Sequence, residues 1–414
     1  MMFMFNKLRK FLISIIENIV YFFSRLFAFL PDISLHSKST NLNTQNQEPY
    51  YKTFITSLSY PFEEHYITTD DGYVLSLWRI PPKIKGSRPI ILQHSLLDGA
   101  WTWFALQDKK CLPFLLSNIG YDVWLPNSRG NIFSLGHVDQ KFDSQQMFNK
   151  YWNFSFDEMA KYDVPAVINY IKEISQSTEK IDYIGHSQGA SIFMLAYILY
   201  PQFMENSIRK FCSLAMVANL KHSSSKFLSF FASFRIFNEL SFGNFLNPGV
   251  KNGIYFYWIT KYFNKIVSFI ISSIIQKTPT GRIDYNKIIS VMHYEPGGTS
   301  YKNVIHWLQC YSHKDIYMYD YGKKKNLKIY NSEMPPKYNK EVLKQWTFET
   351  LNFESQGDPY STQQDVEEFC ELIRTKDKNK IRKLNVGNYN NLDYLWSHDA
   401  KKDIYDHILR FLEM

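Results

Sequence analysis

From His65 onward the apolar positions fall into short β-rich runs separated by longer helical ones. Glu64 to Thr69 and Tyr73 to Ile80 flank Asp70-Asp71-Gly72, a tight-turn signal, and predict a hairpin. Pro89 to Gln93, Tyr121 to Leu125 and Ile181 to Gly185 are apolar runs of buried-strand length, and Lys210 to Met216, Trp346 to Phe353 and Ile381 to Val386 continue the series. Between them Phe156 to Ile174 alternates faces as an amphipathic helix does. Ile192 to Leu199 and Gln364 to Arg374 also read as helical, and Asp399 to Leu412 closes the chain as an amphipathic helix. Strands alternating with helices at this spacing imply an α/β fold with a mostly parallel sheet covered on both faces.

Two stretches break this rhythm. In residues 1–30 a basic start (Lys7, Arg9, Lys10) precedes Phe11 to Leu30, which is almost entirely apolar and long enough to span a bilayer. Its polar residues, Ser14, Glu17, Asn18, Tyr21, Ser24 and Arg25, recur at three- and four-residue steps and make one stripe on a helix. Glu17 and Arg25 sit badly in the apolar region of a signal peptide, and no small-x-small cleavage site is evident. The expectation is an uncleaved hydrophobic helix that spans the membrane or lies in its interface. Residues 31–60 are polar and read as a linker. The second break is 219–335, rich in Phe and Tyr and inserted between predicted strands, where a helical cap or lid belongs. The expected organisation is thus a membrane helix (1–30), a linker (31–60), a first part of the α/β core (61–218), a helical cap (219–335) and a second part of the core (336–414).

With 414 residues the chain can bury the core of one large α/β domain plus an insertion. Its 47 basic and 39 acidic residues leave a net charge of +8, spread along the chain, and no stretch has the look of a nucleic-acid module. Cys111, Cys212, Cys310 and Cys370 are far apart and give neither a metal spacing nor a disulfide framework. The only Asn-x-Ser/Thr acceptor is Asn153-Phe154-Ser155, inside the predicted core. These features tilt the reading toward an intracellular membrane, mitochondrial or endomembrane, and away from secretion or the lysosome. Membrane lipid and a protein partner in a membrane complex are the expected company; no cofactor, metal or nucleic acid is.

The chemistry concentrates where the run Ile181 to Gly185 meets the helix that follows. Gly185-His186-Ser187-Gln188-Gly189 is a Gly-x-Ser-x-Gly pattern in the strand–turn–helix setting of a nucleophile elbow, which exposes the serine hydroxyl on a strained turn. The helix N-terminus behind it, with the Gln188 N–H, is placed to stabilise an oxyanion.

Longer motifs then carry a resemblance. Leu92-Gln93-His94-x-Leu96-Leu97, Gly120 to Leu125 with Asn127-Ser128-Arg129-Gly130-Asn131, Trp152-x-Phe154-Ser155-Phe156-Asp157-Glu158-Met159, the elbow, and Pro296-x-Gly298-Thr299-Ser300 leading to His306-Trp307 all match one family. From about residue 50 to its C-terminus the chain resembles the acid lipases, the gastric and lysosomal group of α/β-hydrolases. The resemblance implies an α/β-hydrolase fold with a cap, acting on neutral lipid esters through a Ser–His–Asp triad. It places the nucleophile at Ser187, the oxyanion hole at the amides of Leu96 and Gln188, and the triad acid at Asp358. The family's histidine stands in an Asn-His-Leu-Asp segment; here the segment is Asn390-Asn391-Leu392-Asp393, so Asn391 replaces it. Ser95 also replaces the usual glycine beside the oxyanion-hole residue.

Asparagine has no titratable group and cannot take the serine proton or return it to a leaving alcohol. Beyond Asp358 only His398 and His407 remain. His398 lies seven residues past Asn391, roughly 10 Å along a helix at about 1.5 Å per residue, and would need a rebuilt loop to reach Ser187. His186 in the elbow and His293, His306 and His313 in or after the cap read as packing histidines. The expectation is a catalytically inactive, membrane-associated lipase-like protein with a structural or lipid-binding role. The alternative is an active ester hydrolase using Ser187 and Asp358 with an unusual base.

Overall fold

In the computed structural model the turn-flanked runs pair into one sheet. The structure describes residues 48–139, 150–225, 228–229, 282–284, 287, 290–374 and 380–414. Its strands are β1 (Glu63–Thr68), β2 (Tyr73–Ile80), β3 (Pro89–Gln93), β4 (Asp122–Pro126), β5 (Gly136–His137), β6 (Ile181–His186), β7 (Ile208–Leu214), β8 (Glu349–Glu354) and β9 (Ile381–Asn385). They lie in the order β1-β2-β4-β3-β6-β7-β8-β9, with β5 on β2. β2 pairs antiparallel with β1, β4 and β5, and from β4 to β9 every neighbouring pair is parallel. The described helices are α1 (Tyr50–Ser57), α2 (Leu112–Asn118), α3 (Val164–Ile174), α4 (Gln188–Leu199), α5 (Pro201–Ser207), α6 (Tyr301–His313), α7 (Lys323–Tyr330), α8 (Gln363–Ile373), α9 (Asp393–Trp396) and α10 (Asp406–Glu413).

Parallel neighbours require crossovers, and here helices supply them, so both faces of the sheet are covered. Every residue of β3, β4 and β6 is buried. Side chains alternate between two apolar layers: Ile90 and Leu92 join Trp101, Phe104, Phe114 and Ile408 on one face, while Ile91 joins Val167, Ile171 and Phe193 on the other. The loops after β3, β6, β8 and β9 leave from the carboxyl ends of the strands, the edge where sites of open α/β sheets form.

The expected elements are present with shifted ends, each for a local reason. β7 stops at Leu214 because Ala215 takes φ 52° and turns out of the sheet. β8 starts at Glu349, three residues later than expected, because Trp346 packs with Tyr197 and Phe211 at ring separations of 4.8 and 5.4 Å. The amphipathic helix opens with a capping box, Ser155 with Glu158, and passes through a π-helical turn, Met159–Asp163, before α3. Pro165 has no N–H to give back to the preceding turn, and the chain accommodates the lost bond by widening. Inside the stretch expected to be a linker, Tyr50–Ser57 is helical: Tyr51 and Ile55, four apart, are buried on one face, and Tyr51 stacks on Trp78 at 4.2 Å. The predicted N-terminal helix and most of the aromatic insertion lie outside the described residues.

One buried ion cluster ties the loop after β4 to the sheet and the helical layer. Arg129, 1% exposed, donates from Nε and Nη2 to Asp163 Oδ1 at 2.8 and 2.6 Å, and from Nη1 and Nη2 to the two oxygens of Asp71 at 2.6 and 2.8 Å. Its guanidinium also lies 4.1 Å over the Tyr73 ring. Removing the cation strands two carboxylates, so Arg129→Ala should cost about 3–5 kcal/mol in urea unfolding. A loss below about 1 kcal/mol would show that the cluster is not structural.

Candidate functional site

The elbow is built by exclusion of side chains. β6 ends at His186, Ser187 takes φ 50° and ψ −115°, and α4 begins at Gln188. A Cβ on Gly185 would stand 2.5 Å from the Ala190 nitrogen, and one on Gly189 would stand 2.4 Å from the Gln93 carbonyl oxygen. Only glycine at both positions lets helix, strand and the end of β3 meet this closely. The Ser187 N–H donates to Leu214 O at 2.8 Å, which fixes the turn against β7.

Three loops then converge. Asp358, in the loop after β8, is 3% exposed; its Oδ1 accepts from the Tyr360 and Ser361 N–H groups at 2.8 and 3.1 Å. Asn391, after β9, donates from Nδ2 to Asp358 Oδ2 at 3.0 Å and to Ser187 Oγ at 3.4 Å. Asn391 therefore bridges acid and serine as a triad histidine would. Its polarity differs at one end: an imidazole would accept the serine proton, whereas this NH₂ donates to the serine oxygen. The opposite amide orientation would set Oδ1 against a carboxylate, so the network fixes the assignment.

The histidines near this site are committed elsewhere. His186 Nε2 donates to Asn391 O at 2.8 Å, which locks the loop after β9 onto the elbow. His94 Nε2 accepts from the Ser128 N–H at 2.9 Å, so Nδ1 carries the proton and donates to Ser95 O at 2.8 Å. Burial lowers both imidazoles to about 4, which keeps them neutral. His398, offered by the sequence as a substitute base, is exposed and donates from Nδ1 to Arg282 O at 2.7 Å. Half-buried His407 bonds Arg410 at 3.1 Å. Among the described residues the only side chain hydrogen-bonded to Ser187 Oγ is Asn391.

Gln188 is the first residue of α4, so its N–H lies in the first turn, where helix geometry provides no partner. Leu96 lies half-buried in the turn after β3, three residues past the Gln93 carbonyl that Gly189 abuts. Ser95 is not among the residues of positive φ, so its backbone tolerates a side chain where the family has glycine. The Gln188 side chain is clamped from α6: its Oε1 accepts from Asn303 Nδ2 at 2.9 Å and Trp307 Nε1 at 2.7 Å. Behind the elbow, Glu295 accepts from the Gly99 and Gly297 N–H groups, and Asp98 Oδ2 lies 3.8 Å from His186 Nδ1. Burial raises both acids. Neither the α6 clamp nor this acid pair was legible in the sequence, since each joins residues more than a hundred positions apart. As for metals, His222, Asp365 and Glu368 bring donor atoms within 4.8 Å of one another. Lys221 Nζ, 2.5 Å from Glu368, already supplies a cation there.

Two outcomes follow. Gly189→Ala should cost about 3 kcal/mol or more, because the clash is with backbone; a urea midpoint near that of the parent would contradict the close approach. Burial pushes Asp358 up to about 6 against the lowering effect of its hydrogen bonds. The folded chain then holds this proton up to about pH 6, while the unfolded chain releases it near pH 4. The stability it contributes is present at low pH and is lost as pH rises from 4 to 6, on the order of 3 kcal/mol at most. The stability of the parent relative to Asp358→Asn should fall across that window. A difference that stays flat, or rises, would show that Asp358 is ionised throughout.

Comparison with known proteins places this geometry. Residues 51–107 match a family described as a partial alpha/beta-hydrolase lipase region, and residues 88–237 match the alpha/beta hydrolase fold. Human lipase member M is 30% identical over 86% of this chain and 83% of its own length. Human gastric triacylglycerol lipase is 33% identical over 86% of this chain and 89% of its own. An esterase from Exiguobacterium antarcticum shares the fold, with a TM-score of 0.51 at 12% identity, over 85% of this chain and all of that one. The expected intracellular-membrane location is overturned. The relatives include gastric triacylglycerol lipases, and among the described residues no helix is long and apolar enough to cross a membrane. The apolar runs that are described are spent on the two layers of the core. A protein partner in a membrane complex receives no support from these relatives either. With about a third of its residues shared across most of both chains, the protein belongs to the acid lipase family of α/β-hydrolases, the family of the gastric triacylglycerol lipases.

Proposed function

We propose that this chain is a lipase-derived protein that binds a neutral lipid ester and does not turn it over. One observation carries the reading: Asn391 Nδ2 donates to both Asp358 and Ser187. A serine hydroxyl is a poor nucleophile near neutral pH until a base removes its proton, and an amide nitrogen has no lone pair to offer. Ser187 keeps the nucleophile's place, Asp358 the acid's, and the amides of Leu96 and Gln188 the oxyanion hole's, while the proton relay between them is missing. The name of the gastric relatives gives triacylglycerol as the ester class. In this reading residues 219–335, inserted between β7 and β8, serve as the cap over the site.

A second reading, slow hydrolysis with an unusual base, draws on the strained elbow and on the retained Asp358. Hydrolysis of p-nitrophenyl butyrate separates the two. Loss of the base from a serine triad costs on the order of a million-fold in turnover. The parent should therefore match Ser187→Ala at background, and Asn391→His should exceed both by about a hundredfold or more. Parental activity that Ser187→Ala abolishes would establish slow catalysis instead.

A further inference from the structure

This inference rests on the reading that the site holds an ester without cleaving it. Ser187 is 8% exposed, and its Oγ receives the hydrogen bond from Asn391. Among the described residues no acceptor takes the Ser187 hydroxyl proton, which a triad histidine would have bound. That proton is free to be donated to a ligand. The next residue, Gln188, opens the 12-residue helix α4 and adds a first-turn N–H at the positive end of the helix dipole. We infer that Ser187 Oγ and the Gln188 amide form a donor-only cradle for an uncharged carbonyl oxygen, that of an intact ester, and that the cradle rejects the corresponding carboxylate.

The preference for an uncharged group follows from the surrounding charges. Asp358 is one side chain away through Asn391, and the charge acting on it is that of a second acid, Asp393. Among the described residues no lysine or arginine is hydrogen-bonded to Ser187, Asp358 or Asn391. An incoming carboxylate would meet like charge with only about half a unit of helix-end charge in compensation. A carbonyl gains the same two hydrogen bonds without that repulsion. No covalent bond is made or broken.

Calorimetry at pH 7.5 with tributyrin, its triether analogue and sodium butyrate tests the cradle. The parent should bind tributyrin about tenfold tighter than the triether, as two hydrogen bonds of modest net strength would give. Ser187→Ala should weaken tributyrin about three- to tenfold and leave the triether unchanged, and butyrate should not compete. Equal affinity of the parent for ester and ether, undiminished tributyrin binding in Ser187→Ala, or competition by butyrate would overturn the inference while leaving non-catalytic binding intact. If the variant loses triether binding as well, the parent's preference for ester over ether decides alone. Release of butyrate from tributyrin by the parent, or no binding of tributyrin at all, would overturn the proposed function and the cradle with it.

Discussion

At the junction of β6 and α4 there is no room for a Cβ on either side of Ser187. With Gly189 against the Gln93 carbonyl and Gly185 against Ala190, the central strands and the following helix come into backbone contact. Everything at the site takes its position from that contact. It sets the serine at φ 50°, aims the start of α4 at the space above the sheet, and brings the end of β3 alongside. The loops after β8 and β9 then deliver Asp358 and Asn391 to a point already fixed by the backbone.

The site differs from a serine–histidine–acid row in the direction of one hydrogen bond. Serine, amide and carboxylate still form a connected row, joined by the two hydrogen bonds that Asn391 Nδ2 donates. The amide gives hydrogens both ways, so the row has no member able to carry a proton from Ser187 toward Asp358. Burial holds His94 and His186 neutral, and both are engaged by backbone groups, His94 between Ser128 and Ser95 and His186 on Asn391 O. Their burial serves packing and loop placement, and neither is hydrogen-bonded to Ser187 Oγ.

Much of this was readable from the chain. The sheet followed from the alternation of apolar runs, and β2 and β3 fall where the pattern put them. The errors came where a side chain found a better tertiary partner than its local pattern implied. Trp346 left the strand for an aromatic cluster, and the polar surroundings of Tyr50 to Ser57 concealed a buried helical face. Ser187 came from the elbow motif, Asp358 and Asn391 from the family resemblance, and the structure brings the three side chains together. The Arg129 cluster, the clamp on Gln188 and the Asp98–Glu295 pair could not be read in this way, because each is a meeting of distant segments that no periodicity records.

The hydrogen bond between Ser187 and Asn391 joins residues 204 positions apart. At a synthesis rate of about 5–20 residues per second, roughly 10–40 s pass between the two residues leaving the ribosome. During that interval the elbow strand and α4 exist without the loop that locks onto His186 and without β9 to cover the edge of β8. The parallel strands on that side of the sheet wait, with unpaired backbone and apolar faces open, for the last few dozen residues. Such long-range closure slows folding. The nascent chain, more than the finished one, is therefore the form that needs protection from aggregation.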